Sequence, residues 1–368
     1  MEKKPKLIFI DITSGHDHNY IKNRAIGASE YQLYCLLTNL SNYYEITCYN
    51  HKKDYVMMDN IIYKSFATDL LNDTIEPNTI IIIQRMFPNI NREIFKKIKH
   101  HKIFLWVHDL PSKDVLTFNH DDIEKNIYKN DESMYKNEIL TPIYDNKQIN
   151  FIFVSNYVKD LFINYFKNYG FTLENNRLNT IYNILYEDEF IKIKNTDIVV
   201  NKNYITYASA WQKGIEQVVS VFDDAKKIDP ELKLVLLSPG YDWNNFTDYA
   251  NTLKEKYKDD IIIHGPVNKE QYSKIIKESM VVLTTTFKET FGCVFAETYY
   301  LGTPVIMDHR SGAVKEIIDH KYIVNFDNKK ETTDKILYVK KNRDHIHVHL
   351  DDKFMLEYNI QLWLKLLK

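Results

Sequence analysis

One segment, Met280 to Met307, restricts the fold more than any other part of the chain. Met280–Leu283 is a short apolar run and reads as a buried strand. Thr284 to Thr290 is polar apart from Phe287 and reads as a loop. From Gly292 the pattern is helical. Gly302 stands where that helix stops, Pro304 follows closely, and Val305-Ile306-Met307 starts another strand. Strand, loop, helix and strand in this order make a unit of an α/β fold with a parallel sheet.

The loop and the helix N-terminus lie at the carboxyl end of a strand, where open parallel sheets bind ligands. The unpaired N–H groups of Gly292, Cys293 and Val294 suit a phosphate, and the helix dipole adds partial positive charge. Gly292 has no side chain to hold a ligand off. Two carboxylates flank this anion site, Glu289 in the loop and Glu297 in the helix, with seven residues between them. A carboxylate accepts hydrogen bonds, and sugar hydroxyls donate them. A ligand with hydroxyls on both sides of a phosphate fits, and a nucleotide sugar is such a molecule. On spacing alone, both glutamates also read as surface charges near a helix start, where acids are favoured.

The rest of the chain repeats the alternation. Strands are predicted at Lys6–Ile12, Ile46–Tyr49, Ile61–Tyr63, Thr79–Gln84, Ile103–Val107, Asn150–Val154 and Asn179–Ile184. Helices are predicted at Glu30–Leu40 and Arg92–His100, and Ser155 is a plausible N-cap for another. Pro111 to Gln148 is charge-rich and reads as a solvated insertion, partly helical. Leu185 to Lys202 reads as a polar linker. A second set follows, with strands at Asn203–Ala208, Leu232–Leu237 and Ile261–His264, and helices at Asn245–Tyr257 and Lys269–Glu278. Phe354–Leu367 reads as an amphipathic terminal helix.

Composition excludes several function classes. A chain of 368 residues has room for two cores, and a net charge of −2 does not ask for nucleic acid. The three cysteines, Cys35, Cys48 and Cys293, have neither metal spacing nor a disulfide framework, which fits a reducing compartment. His345, His347 and His349 alternate as on one strand face but lack a Cys or carboxylate partner for a metal. No apolar run is long enough for a membrane span, and the expectation is a soluble, cytoplasmic protein.

The segment E-T-F-G-C-V-F-A-E-T-Y-Y-L-G-T-P-V-I closely resembles the E-x7-E segment of retaining glycosyltransferases of family four (group 1). Thr290 stands where that family usually has Gly, and Thr298 where it usually has Ala. Other segments are similar too. G-A-S-E-Y-Q-L resembles the family's first turn and helix, which makes Gly27 a candidate near the donor phosphates, or equally a plain turn glycine. W-V-H-D-L-P resembles its histidine-bearing loop and marks His108; a strand-end His satisfied by backbone is the plainer reading. S-A-W-Q-K-G resembles its diphosphate-binding turn. The usual Arg is absent and Ala208 or Ser209 occupies its neighbourhood, while Lys213 remains. I-I-I-H-G-P-V-N resembles the step where backbone meets the nucleobase, at Gly265. Ser311-Gly312-Ala313-Val314-Lys315-Glu316 resembles a turn-helix in which Glu316 is structural.

The resemblance implies the GT-B fold, two Rossmann-like doubly wound domains facing a cleft. It places an acceptor-side domain at 1–190, a donor-side domain at 191–345, and a tail at 346–368 packing on the first. It implies transfer of a sugar, with retention, from a UDP- or GDP-sugar to a glycan, lipid or other hydroxyl acceptor. Glu289 would grip the transferred sugar, Glu297 the ribose and Lys213 the diphosphate, while His108 would stabilise the reacting sugar. Ser209, Phe291, Gly292, Cys293 and Val294 would complete the donor site. No cofactor or metal is implied. The alternatives are a nucleotide-sugar-binding protein without turnover, or an epimerase on the same fold.

Overall fold

A computed structural model describes residues 4–11, 27–51, 55–85, 92–112, 132–237 and 243–368. Residues 12–26, between the first strand and the first helix, fall outside the described residues, as does the first half of the charged insertion. The chain divides into two compact units, Met1–Asn183 with Glu357–Lys368, and Ile184–Leu356. The first division thus falls after Asn183 rather than after 190. The return falls at Glu357 rather than 346.

The first unit holds eight strands: β1 (Lys6–Asp11), β2 (Glu45–Asn50), β3 (Val56–Met58), β4 (Ile61–Ser65), β5 (Ile80–Gln84), β6 (Ile103–Val107), β7 (Ile149–Phe153) and β8 (Leu178–Thr180). Their order is β3-β4-β2-β1-β5-β6-β7-β8. Every pairing is parallel except β3 with β4. Asp59 and Asn60, both at positive φ, turn the chain between those two. The sequence reading missed β3, whose three residues carry no repeating pattern. All five residues of β6 are buried. Such continuous apolar runs mark strands covered on both faces.

Helix Ala28–Leu40 follows β1 and sends Leu33, Leu36, Leu37 and Leu40 into the core. Ser155 caps helix Asn156–Asn168, its Oγ accepting from Val158 N at 3.2 Å. The terminal helix, Leu356–Leu366, belongs to this unit, and its Trp363 ring meets Trp106 edge-on at 5.2 Å. Part of the insertion corrects the sequence reading. Its second half is helical from Glu132 to Asp145, through a π turn at Lys136–Leu140, and buries Tyr135, Ile139, Leu140 and Ile143. Those few apolar residues, diluted among charges, are core rather than solvated face.

The second unit holds β9 (Asn201–Tyr207), β10 (Lys233–Leu237), β11 (Ile261–His264), β12 (Ser279–Thr284), β13 (Val305–Asp308) and β14 (Ile323–Val324). They run parallel in the order β11-β10-β9-β12-β13-β14. The sequence proceeds outward from β9 on one side and outward from β12 on the other. The topological switch point therefore lies between β9 and β12, where an open sheet leaves a crevice at its carboxyl edge.

Two further readings are corrected in this unit. The stretch expected as linker is packed, with Phe190 and Ile193 buried, and Lys277 Nζ donates to the carbonyls of Ile193 at 2.9 Å and Thr196 at 2.7 Å. Residues 346–350 are not a strand, so His345, His347 and His349 do not share a sheet face. Among the described residues no group of three metal-ligating side chains gathers, and no helix is long and apolar enough to cross a membrane.

Candidate functional site

At the β9–β12 switch point two loops are bound to each other. After β9 the chain makes one turn, Trp211–Lys213, then enters helix Ile215–Ile228 through Gly214 at φ 102°. A Cβ at Gly214 would lie 2.0 Å from Thr285 Oγ1, which already donates to the Gly214 carbonyl at 2.7 Å. Only glycine fits both the backbone and the space. The same two loops bring Lys213 Nζ to 2.9 Å from Glu289 Oε2. The Glu289 side chain is 15% exposed and the Lys213 side chain 44%.

A third loop holds Glu289 in place. Its carbonyl accepts from Ala313 N at 2.9 Å, and Lys288, at φ 55°, donates its N–H to the Arg310 carbonyl at 3.0 Å. Arg310 grips Asp308 through Nε (2.7 Å) and Nη2 (2.9 Å), reaches Asp327, and lies 4.3 Å over the Phe287 ring. Burial raises the Asp308 carboxyl, but hydrogen bonds from Arg310 and Phe326 outweigh it and hold the group below its ordinary value.

Helix Cys293–Tyr300 begins beside Glu289. Its N-cap, Gly292, is left-handed at φ 93° and no side chain caps the helix. A Cβ there would come within 2.7 Å of the Phe295 ring and 3.0 Å of Val314. The loop after β13 packs against Gly292, and the helix dipole adds partial positive charge at this end. Cys293 and Val294 are half-buried at this end. Phe291 is not: its ring is buried against Phe354 at 5.8 Å. The helix closes in a Schellman motif, with Gly302 N bonded to Tyr299 O and Thr303 N to Thr298 O.

Glu297 stands one turn into this helix with its side chain 12% exposed. Its Oε1 accepts from Lys269 Nζ at 2.6 Å. Lys269 opens helix Lys269–Glu278, directly after the β11 loop that carries Gly265, and this helix has a complete capping box between Asn268 and Gln271. The Lys269 ammonium also lies over the rings of Phe190 (4.6 Å) and Tyr272 (5.3 Å). Burial, with Glu297 adding to it, pushes the Tyr272 phenol well up. Ser209 and Gly265 are half-buried at the ends of β9 and β11, and Ala208 is buried.

The first unit has its own polar cluster, at the carboxyl ends of β5 and β6. Gln84 closes β5 and its Nε2 donates to the Ser29 carbonyl at 2.6 Å. Arg85, at φ 70°, bonds both oxygens of Asp109 (3.1 and 3.2 Å) and lies 3.5 Å from Glu30. His108 is 6% exposed, stacked 4.5 Å from Trp106, and its Nε2 has no hydrogen-bond partner among the described residues. Burial, opposed by Asp109 and aided by Arg85, pushes His108 down to about 3. It is a neutral imidazole at ordinary pH and offers a hydrogen bond rather than a charge. Gly27 is the N-cap of Ala28–Leu40 in extended geometry (φ −64°), so it is not a left-handed turn glycine.

Residues 188–351 match the family model described as glycosyl transferases group 1. The matched residues fall within the second unit. No curated protein matches the sequence. Solved structures share the fold over nearly the whole length. Trehalose 6-phosphate synthase from Burkholderia multivorans is 10% identical with a TM-score of 0.66, over 99% of this chain and 98% of that one. Anabaena HepE, solved with UDP and glucose, is 14% identical with a TM-score of 0.64, over 99% of each chain. Sucrose-phosphate synthase from Thermosynechococcus elongatus is 12% identical with a TM-score of 0.64, over 99% and 98%. The architecture is GT-B.

Within the matched residues, the structure gathers Lys213, Glu289, Gly292, Cys293 and Val294 at one switch point, with Glu297 a turn further along the helix. It also shows residues the sequence reading missed: Lys269 on Glu297, Thr285 on Gly214, and Arg310 behind Phe287. Lys269 and Arg310 gave no signal, because a lysine or arginine at a loop end is ordinary in a chain with 48 of them. In the first unit, Arg85 was missed for the same reason, and Glu30 because an acid in a first helical turn is equally ordinary.

Proposed function

We propose that this chain transfers a sugar from a nucleotide diphosphate sugar to a hydroxyl acceptor, with retention of anomeric configuration. The observation that carries the reading is the Lys213–Glu289 pair beside the uncapped N-terminus of helix Cys293–Tyr300 at the β9–β12 switch point. The diphosphate lies on the helix amides, and Lys213 turns from Glu289 to its oxygens. This cation supports the leaving group most as the bond breaks. Glu289 accepts from hydroxyls of the transferred sugar, and Glu297 accepts from the ribose. His108, neutral, donates to a substrate hydroxyl.

The reading invokes no covalent nucleophile. In the reaction proposed, the acceptor oxygen bonds to the anomeric carbon on the face from which the diphosphate departs. The bond from that carbon to the β-phosphate oxygen breaks, and the acceptor proton passes to a departing phosphate oxygen. The helix amides and Lys213 take the charge that a divalent cation would otherwise carry, so chelator is expected to leave turnover intact. The test is incubation with UDP- and GDP-sugars, with and without chelator, following release of free nucleotide and the anomer of the product. Release that survives chelator, with a retained anomer, supports the reading. Tight nucleotide binding with no release from any donor leaves a binding protein instead.

A further inference from the structure

The two carboxylates of the donor site are each met by a lysine, and the two lysines are held differently. Lys213 ends a single turn and is followed by a left-handed glycine. Lys269 is the first residue of a ten-residue helix whose start is fixed by a capping box. Its ammonium has Glu297 Oε1 at 2.6 Å and two aromatic faces, Phe190 and Tyr272, within 5.3 Å. Phe190 is fully buried, so its face is a fixed wall. Cation–ring attraction adds to the charge pair and limits where the ammonium can go.

A carboxylate engaged through one oxygen keeps the lone pairs of the other for a second donor. We infer that Lys269 is a positioning residue that stays on Glu297 when nucleotide binds, orienting the second carboxylate oxygen toward the ribose hydroxyls. This rests on the proposed function, in which Glu297 takes the ribose. Lys269 itself touches no reacting atom in this account. It fixes the direction of the acceptor, so a nucleotide does not have to order a loose glutamate at the moment it binds.

The test is a binding series on the full chain with UDP, GDP and ADP, each against its 2′,3′-dideoxy form, for wild type, Lys269→Met, Lys269→Arg, Glu297→Gln and the double variant Lys269→Met/Glu297→Gln. Thermal midpoints without ligand report whether each variant is folded. The expected result is about a tenfold loss of nucleotide affinity in Lys269→Met and most of it recovered in Lys269→Arg. The double variant should be no weaker than Glu297→Gln alone, because both changes remove one interaction. The dideoxy nucleotide should bind wild type and Lys269→Met alike. An unchanged affinity in Lys269→Met overturns the inference, and so does a loss that persists at full size with the dideoxy form. A wild-type chain that binds none of the three nucleotides overturns the functional reading, and this inference with it. Wild-type binding with an indifferent Lys269→Met removes this inference alone.

Discussion

Glu289 and Glu297 look equivalent in the sequence, two acids either side of a helix start, yet the structure gives them different surroundings. Glu289 is on a loop set by two others: its carbonyl is tied to Ala313 and its neighbour Lys288 to Arg310 on one, and its carboxylate to Lys213 on the other. Glu297 is on a helix, and its partner Lys269 is on a second helix with a rigid cap. On the function proposed above, a group that follows a reacting sugar gains from a partner that can leave, and one that holds a ribose gains from a partner that stays. Exposure does not separate the two pairs, at 44% and 15% for Lys213–Glu289 and 39% and 12% for Lys269–Glu297; the capping box and the two aromatic rings around Lys269 do.

The sharpest way to break this comparison is at Glu289. Glu289→Gln is expected to lower kcat by about 10³-fold while leaving UDP or GDP affinity nearly unchanged, read from single-turnover rates beside calorimetric titration. Parallel losses in both quantities would make the two glutamates equivalent after all. Lys213→Met is next, with about a 10²-fold loss in kcat and a smaller loss in diphosphate affinity. Nucleoside affinity should not change, and measuring it separates charge from shape. Glu297→Ala should invert the pattern, weakening nucleotide binding about tenfold with little change in kcat at saturation. A large kcat effect there would place Glu297 in the reaction itself.

The smallest expected effect tests whether the first unit differs in kind. His108 is pushed down to about 3 from 6.5, so below pH 6.5 the unfolded chain takes up a proton that the folded chain does not. This contribution is fully present above pH 6.5 and is lost as pH falls toward 3, at no more than about 1.4 kcal/mol per pH unit. Thermal midpoints of wild type should therefore fall faster from pH 6 to 4 than those of His108→Gln. Equal slopes would show that His108 is protonated in the folded state and acts as a charge.

Much of the scaffold was legible because its signals are local. Ile80–Ile83 and Met280–Leu283 are apolar runs of strand length, and Ser155 stands where a cap is needed. Glu289, Gly292 and Lys213 were legible as parts of short motifs. What escaped depends on contacts between distant segments. Tyr135, Ile139 and Ile143 are core residues inside a charged stretch, and Phe190 is a buried wall inside an apparent linker. Periodicity over polar sequence cannot show which apolar residue finds a partner. Ion pairs are harder still, since Lys269 and Glu297 are 28 positions apart and each is common.

The sequence alone determined the alternation of strands and helices, and with it parallel sheets whose loops gather at one edge, because strand period and helix stops are written in neighbouring residues. It also determined the glycine-bounded helix Cys293–Tyr300, since Gly292 and Gly302 act on the backbone where they stand. Only the tertiary structure decided that β9 and β12 lie side by side. This adjacency brings Lys213 to Glu289, and helix packing in the same unit gives Glu297 a separate lysine. Ion pairing depends on distance in space, and distance in space between residues far apart in the chain is set by packing.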